Sequence, residues 1–281
     1  MYSLFTLLLT LVFLVNTAIA GAPATAPAPD VMTIMKKTKE AFEPMRPSKR
    51  KMVITVKSKR AKGETAQFIV GQAIKKFPDG KRMVMVILEP TELKGTTTLI
   101  WEQENKPEDR MFIYLPALKR TKEIKGFVDK YASFSGTDFT YADLGFIKLH
   151  KHYRLLGEEN HGGVQAYKIE SKMPGEKDYY SKTITWVATD TFLPLQRDYY
   201  GPSGELWKTE LFEDVSSING VPTPLRLTMK DPLINGSTEI YLSDVEYDAL
   251  VPDSLFDPNG LPQVSAHECW QAYCSAPAQK K

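Results

Sequence analysis

The side chains in this sequence whose spacing could support chemistry are a histidine pair, a cysteine pair and a serine–aspartate pair. His150 and His152 are the close pair among four histidines. On a strand, residues i and i+2 project to one side, so the two could share a metal ion. No Cys, Asp or Glu joins them at ligand spacing, and Lys148, Lys151 and Arg154 would repel a cation. Solvent-facing strand histidines are the better reading. Cys269 and Cys274 stand in Cys-Trp-Gln-Ala-Tyr-Cys, with the wrong spacing for a redox or metal pair. In an oxidising compartment a short-loop disulfide is the expected outcome. Ser135 and Asp138 offer a nucleophile and an orienting acid, but no histidine is near them in sequence. Gly-x-Ser-x-Gly, His-Glu-x-x-His, P-loop and dinucleotide fingerprints are absent. The expectation is therefore no catalytic residue, no metal, no cofactor and no enzyme activity.

What remains is apolar chemistry. Met83, Met85, Trp101, Phe112, Trp186 and Leu195 all fall in strand-like stretches, and Phe134, Phe139 and Tyr141 in an aromatic loop. Methionine adapts its shape and suits a cavity that receives flexible chains. A curled sheet covered by few helices can leave an interior that side chains do not fill. The expected cavity is lined by the first six, with the three loop aromatics at its mouth. Ordinary core packing accounts for the same composition, so a lipid pocket is permitted by it and not demonstrated.

The elements that must position these residues are mostly strands. A helix is expected first: Asp30 is a good N-cap, Val31, Ile34, Met35, Thr38 and Phe42 recur at helical spacing, and Pro44 and Pro47 end it. Its single apolar stripe needs a greasy surface to lie on. After Pro47 the period becomes two, with Met52, Ile54 and Val56 on one side. Phe68 and Val70, then Met83, Met85 and Ile87, continue the alternation, and further strand candidates are 96–103, 110–115, 118–125, 149–157, 163–171, 181–188, 194–200, 206–213, 225–230 and 238–247. Turn residues such as Pro78-Asp79-Gly80, Gly162-Gly163, Asn219-Gly220 and Asn235-Gly236 separate them. The expected fold class is mainly β (α+β): a curled antiparallel sheet forming a half-open β-barrel, an N-terminal amphipathic helix, and a short helical lid in 126–147.

The ends and the charge point to export. Leu4 to Val15 is apolar apart from two threonines and is followed by Ala18-Ile19-Ala20, the pattern of a cleavable signal peptide over 1–20. Residues 21–29 form an Ala/Pro leader, 30–262 the folded domain and 263–281 a Cys-containing tail. Between Lys36 and Arg82 fifteen Lys or Arg face four Asp or Glu, a local excess of eleven in a chain of net charge +2. Such a basic half suits transient contact with anionic lipid headgroups or an acidic partner, and equally a solvated barrel exterior. Nucleic acid is not an expected partner.

Three blocks carry a family resemblance: Lys94-Gly95-Thr96, then Tyr114-Leu115-Pro116-Ala117-Leu118-Lys119-Arg120, then the run from Ser133 to Leu144 that includes Phe-Ser-Gly-Thr-Asp-Phe. With the Gly-x-Pro-x-Pro entry at Gly220 to Pro224, they resemble the outer-membrane lipoprotein-sorting protein family, a branch of the LolA/LolB-type lipoprotein carriers, over roughly 31 to 262. The resemblance implies a half-open barrel with a helical lid and an apolar cavity for acyl chains. Burial of each methylene there recovers about 0.8 kcal/mol. It implies a periplasmic carrier of lipid or lipoprotein acyl chains towards the outer membrane, with an inner-membrane export complex and an outer-membrane acceptor as partners. The alternative is a non-catalytic envelope interaction or structural protein with a solid core.

Overall fold

The structure is a computed structural model of the chain. It describes residues 29–43, 46–58, 65–103, 106, 109–150, 152–172 and 179–274. The expected signal peptide, the leader up to 28 and the tail from 275 lie outside the described residues. A helix α1 (Val31–Phe42) precedes β1 (Ser48–Ser58), β2 (Thr65–Phe77), β3 (Gly80–Glu89), β4 (Thr97–Trp101), β5 (Arg110–Leu115) and β6 (Arg120–Ile124). A five-residue helix α2 (Gly126–Lys130) and an irregular stretch lead to β7 (Tyr153–His161), β8 (Val164–Ser171), β9 (Lys182–Ala188) and β10 (Pro194–Tyr200). Then come β11 (Leu206–Ile218), β12 (Val221–Asp231), β13 (Gly236–Tyr247), three short 3-10 turns and α3 (Gln271–Cys274). Among the described residues no helix is long and apolar enough to cross a membrane.

The strands form one sheet of thirteen in the order β6-β5-β4-β3-β2-β1-β13-β12-β11-β10-β9-β8-β7, each neighbour antiparallel to the next. The first and last strands of the chain's strand series, β1 and β13, pair in the middle. The free edges are therefore β6 and β7, which are consecutive in sequence. The curled sheet stays unclosed, and the connection between β6 and β7 has to cross the gap.

Period-two alternation explains how this sheet carries two cores. On its inner face Met52, Ile54, Val70, Met83, Met85 and Ile100 meet in one cluster with the aromatics of the β6–β7 connection. On the outer face Val84, Val86, Leu99 and Phe112 meet a second apolar layer from the C-terminal segment, including Val251, Phe256, Leu261 and Trp270. Strand β3 is consequently buried on both faces. The C-terminal layer packs so closely that a Cβ on Gly71 would stand 2.5 Å from the Trp270 ring. Trp270 is itself fixed by donating its indole N–H to the Val264 carbonyl at 2.8 Å.

Helix α1 forms as the sequence leads one to expect. The Asp30 carboxylate accepts from the backbone N–H groups of Met32 and Thr33. The buried stripe of Ile34 and Met35 lies on Tyr167, Ile169 and Val187 of β8 and β9. At its far end Phe42 stands edge-on to Phe212, with ring centroids 5.3 Å apart. The helix thus covers the inner face of the β7–β12 half.

Replacing Gly71 by Ala should destabilise the protein by about 1–3 kcal/mol, because the added methyl overpacks a fully buried indole. Thermal unfolding checks this; an unchanged Tm would show that the C-terminal layer slides away freely.

Candidate functional site: a plugged apolar cavity

The β6–β7 connection does not skirt the barrel; residues 133–147 turn into it. Phe134, Phe139, Tyr141 and Phe146 are all buried in the inner core. A lone antiparallel bridge joins Ser133 to Thr140. Thr140 and Asp143 then cap one turn reciprocally: the Thr140 N–H donates to the Asp143 carboxylate at 2.7 Å, and the Asp143 N–H donates to the Thr140 hydroxyl at 3.3 Å. This is the logic of a capping box. The expected helical lid is thus two pieces: α2 at the edge and an aromatic plug of turns inside.

The plug is tied to the far side of the sheet by buried polar groups. Lys208 on β11 donates to the Asp138 carbonyl at 2.8 Å and pairs with the Asp143 carboxylate at 3.3 Å. The two side chains are 5% and 1% exposed. Asp143 also accepts from the Tyr180 hydroxyl at 2.9 Å. The Asp138 carboxylate accepts from the Thr238 hydroxyl on β13 at 2.7 Å, and the Asp138 N–H donates back to that hydroxyl at 2.9 Å. Burial raises the Asp138 carboxyl above the usual carboxylate range, against the bond from Thr238. Burial and the neighbouring Asp143 carboxylate hold the Tyr180 phenol far above its ordinary value, so it stays a donor.

A second set of charges closes the end where α1 meets the plug. The Glu43 carboxylate accepts from Lys81 at 2.5 Å, from Lys39 at 3.1 Å and from the Ile147 N–H. Lys39 also reaches Glu102 at 2.6 Å and the Ile147 carbonyl at 2.6 Å. Burial works against ionisation of Glu102, yet Lys39 and Lys81 hold its carboxyl below the usual value of 4.5. Lys39 is held above its usual 10.5, its burial outweighed by Glu43 and Glu102.

Between plug, α1 and sheet lies a cavity of about 150 Å³. Its apolar wall comes from Met52 and Ile54 on β1, Met83 and Met85 on β3, and Leu227 and Ile240 on β12 and β13. Phe134, Phe139 and Phe146 of the plug form the opposite wall. Six charged residues also line it: Glu43, Arg50, Lys81, Asp143, Arg197 and Glu210. Arg197 faces the Glu210 carboxylate at 3.5 Å, and Tyr199 donates to the same carboxylate at 2.7 Å.

Of the six residues expected to line the cavity, Met83 and Met85 do so here; Phe134 and Phe139, expected at its mouth, instead form an inner wall, and Tyr141, expected there too, packs behind Phe134 with rings edge-on at 5.7 Å. The others need correction. Trp101 and Phe112 point to the outer face, edge-on to each other at 5.3 Å and against the C-terminal layer. They have the opposite strand parity to Ile100 and Met111, which face inward. Trp186 also faces out, stacked on His161 at 4.8 Å and donating its indole N–H to Glu159 at 2.6 Å. Leu195 joins it because a bulge between Pro194 and Gln196 removes it from the inward alternation. Sequence reasoning missed Arg50, Gln72, Arg197, Glu210 and the plug's anchor Lys208. The available signal was parity: Arg50 shares the side of Met52 and Ile54.

The remaining chemical candidates stay apart. His150 stacks on Tyr153 at 4.1 Å and bonds Ser171 at 3.1 Å, just ahead of β7. Among the described residues no three His, Cys, Asp or Glu come together to hold a metal. Ser135 sits at a positive-φ turn, and its neighbour Asp138 is engaged by Thr238. Cys269 carries a free, half-buried thiol; the side chain of Cys274 lies outside the described residues.

An unclosed antiparallel sheet, a covering helix and an inner apolar cavity define a LolA-like open barrel. Residues 79–263 match a family model described as "-like: Uncharacterized protein", and the chain belongs to that family. It is similar to a solved DUF1329 family protein from Desulfovibrio piger, at 26% identity and a TM-score of 0.75 over 82% of this chain and 97% of that one. A Vibrio parahaemolyticus domain named for outer membrane lipoprotein sorting gives 24% identity and a TM-score of 0.75, covering 82% of this chain and 97% of that one. A LolA superfamily protein from Nitrosomonas europaea gives 19%, 0.64, 82% and 98%. No curated protein matches the sequence.

Two outcomes follow from the anchors. Lys208→Met leaves the Asp143 carboxylate buried without its counter-ion, a change worth about 3–5 kcal/mol. Amide exchange over 133–146 should accelerate while β1 to β3 keep their protection, and a Lys208→Met, Asp143→Leu double variant should lose less stability than the two single variants summed. Because the Glu102 carboxyl is depressed when folded, its contribution is present above pH 4.5 and is lost as pH falls through the lower folded value. Tm measured from pH 6 downwards should fall below about pH 4.5, and Glu102→Gln should flatten that slope.

Proposed function

We propose that this chain is an exported, periplasmic carrier that shelters the acyl chain of a lipid or lipoprotein between its curled sheet and its plug, on the way to the outer membrane. The observation that carries this is the apolar cavity on the inner face, walled on one side by a removable segment of the protein's own aromatics. The names of its Vibrio and Nitrosomonas structural neighbours support the same direction. The proposed activity is binding and transfer.

The size of the cavity sets the mechanism. A void of about 150 Å³ admits a benzene-sized group and no long chain. An acyl chain must therefore displace Phe134, Phe139 and Phe146, taking the place of rings that already stabilise the same wall. Apolar surface is then buried in both states, and the exchange depends on the polar anchors at Lys208, Thr238 and Glu43. A partner at the donor or acceptor membrane needs only to shift that small difference. The small void also favours, as the alternative, a non-catalytic envelope interaction protein with a solid core.

Native mass spectrometry of full-length protein purified from a periplasmic fraction without detergent separates the two. Near-stoichiometric lipid on the wild type, at least about tenfold less on Met85→Glu, and undiminished lipid on Trp101→Ala is the expected pattern. Ile240→Trp, which fills the cavity without adding charge, should lose lipid in the same way. A bare mass that stays bare after incubation with vesicles would establish the solid-core alternative.

A further inference from the structure

Five of the six charged side chains lining the cavity have a counter-ion. Glu43 has Lys81 and Lys39, Asp143 has Lys208, and Arg197 has Glu210. Arg50 is the exception. Its neighbours are the neutral phenols of Tyr247, within hydrogen-bonding reach, and Tyr273, and no carboxylate of the described residues pairs with it. Its Nε is buried without any hydrogen-bond partner, and one terminal nitrogen donates to the Ser48 hydroxyl at 2.9 Å. The guanidinium lies 5.9 Å from the Tyr247 ring centre.

The backbone places Arg50 there deliberately. Arg50 has the strand parity of Met52 and Ile54 and so faces inward with them, while the extra residue at the register shift beside it belongs to β13. Across β2 its register partner is Gln72, whose buried amide donates to the Met83 sulfur at 3.0 Å, a weak acceptor for a strong donor. Ser48, Thr223 and Tyr247 complete a polar end, with Thr223 and Tyr247 hydroxyls 2.9 Å apart. Further along β1 and β13, Met52 and Ile54 stand opposite Leu242 and Ile240 and give the wall apolar side chains. The cavity is therefore amphiphilic along its length.

A guanidinium is not relieved by losing its proton, so an unpaired one in a desolvated site is unfavourable until an anion arrives. Its planar fork matches a carboxylate or a phosphate in two parallel bonds. We infer that Arg50, with Gln72 beside it, is the headgroup site for an amphiphile carrying a carboxylate or phosphate, whose chain runs towards Met52, Ile54 and Ile240. This rests on the carrier reading and narrows it to anionic cargo.

The test is binding of four single-chain probes to the full mature protein: palmitate, hexadecyl phosphate, hexadecanol and hexadecyl trimethylammonium, by isothermal titration below their micellar concentrations. The wild type should bind the anionic probes roughly tenfold to a hundredfold more tightly than hexadecanol, and the cation least. The ratio of palmitate to hexadecyl phosphate separates a fatty-acid from a phospholipid source. Arg50→Met should remove the anionic preference, so that palmitate binds no more tightly than hexadecanol, and raise the ligand-free Tm. Arg50→Lys should keep part of the preference. Equal affinity of the wild type for palmitate and hexadecanol, or an Arg50→Met protein that keeps the preference or fails to fold, overturns the headgroup site while leaving the carrier intact. Failure of every probe to bind overturns both.

Discussion

The ion pair between Lys208 and Asp143 is the contact on which the inner architecture depends. The sheet is open because β6 and β7 do not pair, so the segment joining them must either leave the molecule or fold into it. It folds in because Asp143 and the Asp138 backbone meet an ammonium group on β11, with Thr238 and Tyr180 satisfying the remaining acceptors. Two charges at this depth are stabilising only when every lone pair and proton is used. Once the plug is held, its phenylalanines complete the inner core, and the gap between the edges is bridged without further strands.

Such a plug differs from an ordinary core in where its stability resides. The aromatic contacts are non-directional and can be replaced by any apolar chain of similar reach, whereas the polar anchors are specific. The protein is thus divided into a sheet stiffened from outside by the C-terminal layer and an inner segment with its own separate attachment. The outer layer against β2 to β5 keeps the cavity wall in place whatever the plug does. It is also why the tryptophans at 101 and 270 belong to the scaffold and not to the cavity.

The charged residues around the cavity follow a division of labour. Lys39, Glu43, Lys81 and Glu102 fasten the end of α1 to β3 and to the plug backbone at Ile147. Arg197 and Glu210 neutralise each other on neighbouring strands. Arg50 alone is left to an outside partner. In an interior of low dielectric the unpaired member of such a set dominates the field.

Much of the architecture was legible in the chain. The N-cap at Asp30, the helical stripe ending at Phe42 and the switch to period two after Pro47 specify a helix and then an antiparallel sheet, because these are local consequences of side-chain geometry. The aromatic stretch from Phe134 to Phe146 declared itself by its composition, since so many exposed rings would be unfavourable. Which face of a strand looks inward did not follow. Strands β3 to β5 are apolar on both sides, because a second layer arrives from residues 249–273, and alternation then carries no sign. Trp101 and Phe112 were misplaced for that reason, and Leu195 because a bulge broke the count. Pairing of Lys208 with Asp143, or the lack of a carboxylate partner for Arg50, one of fifteen basic residues in its stretch of sequence, depends on contacts between residues far apart in the chain. Only the tertiary structure decides such contacts, because a charge's partner is set by where the sheet curls and not by its neighbours in sequence.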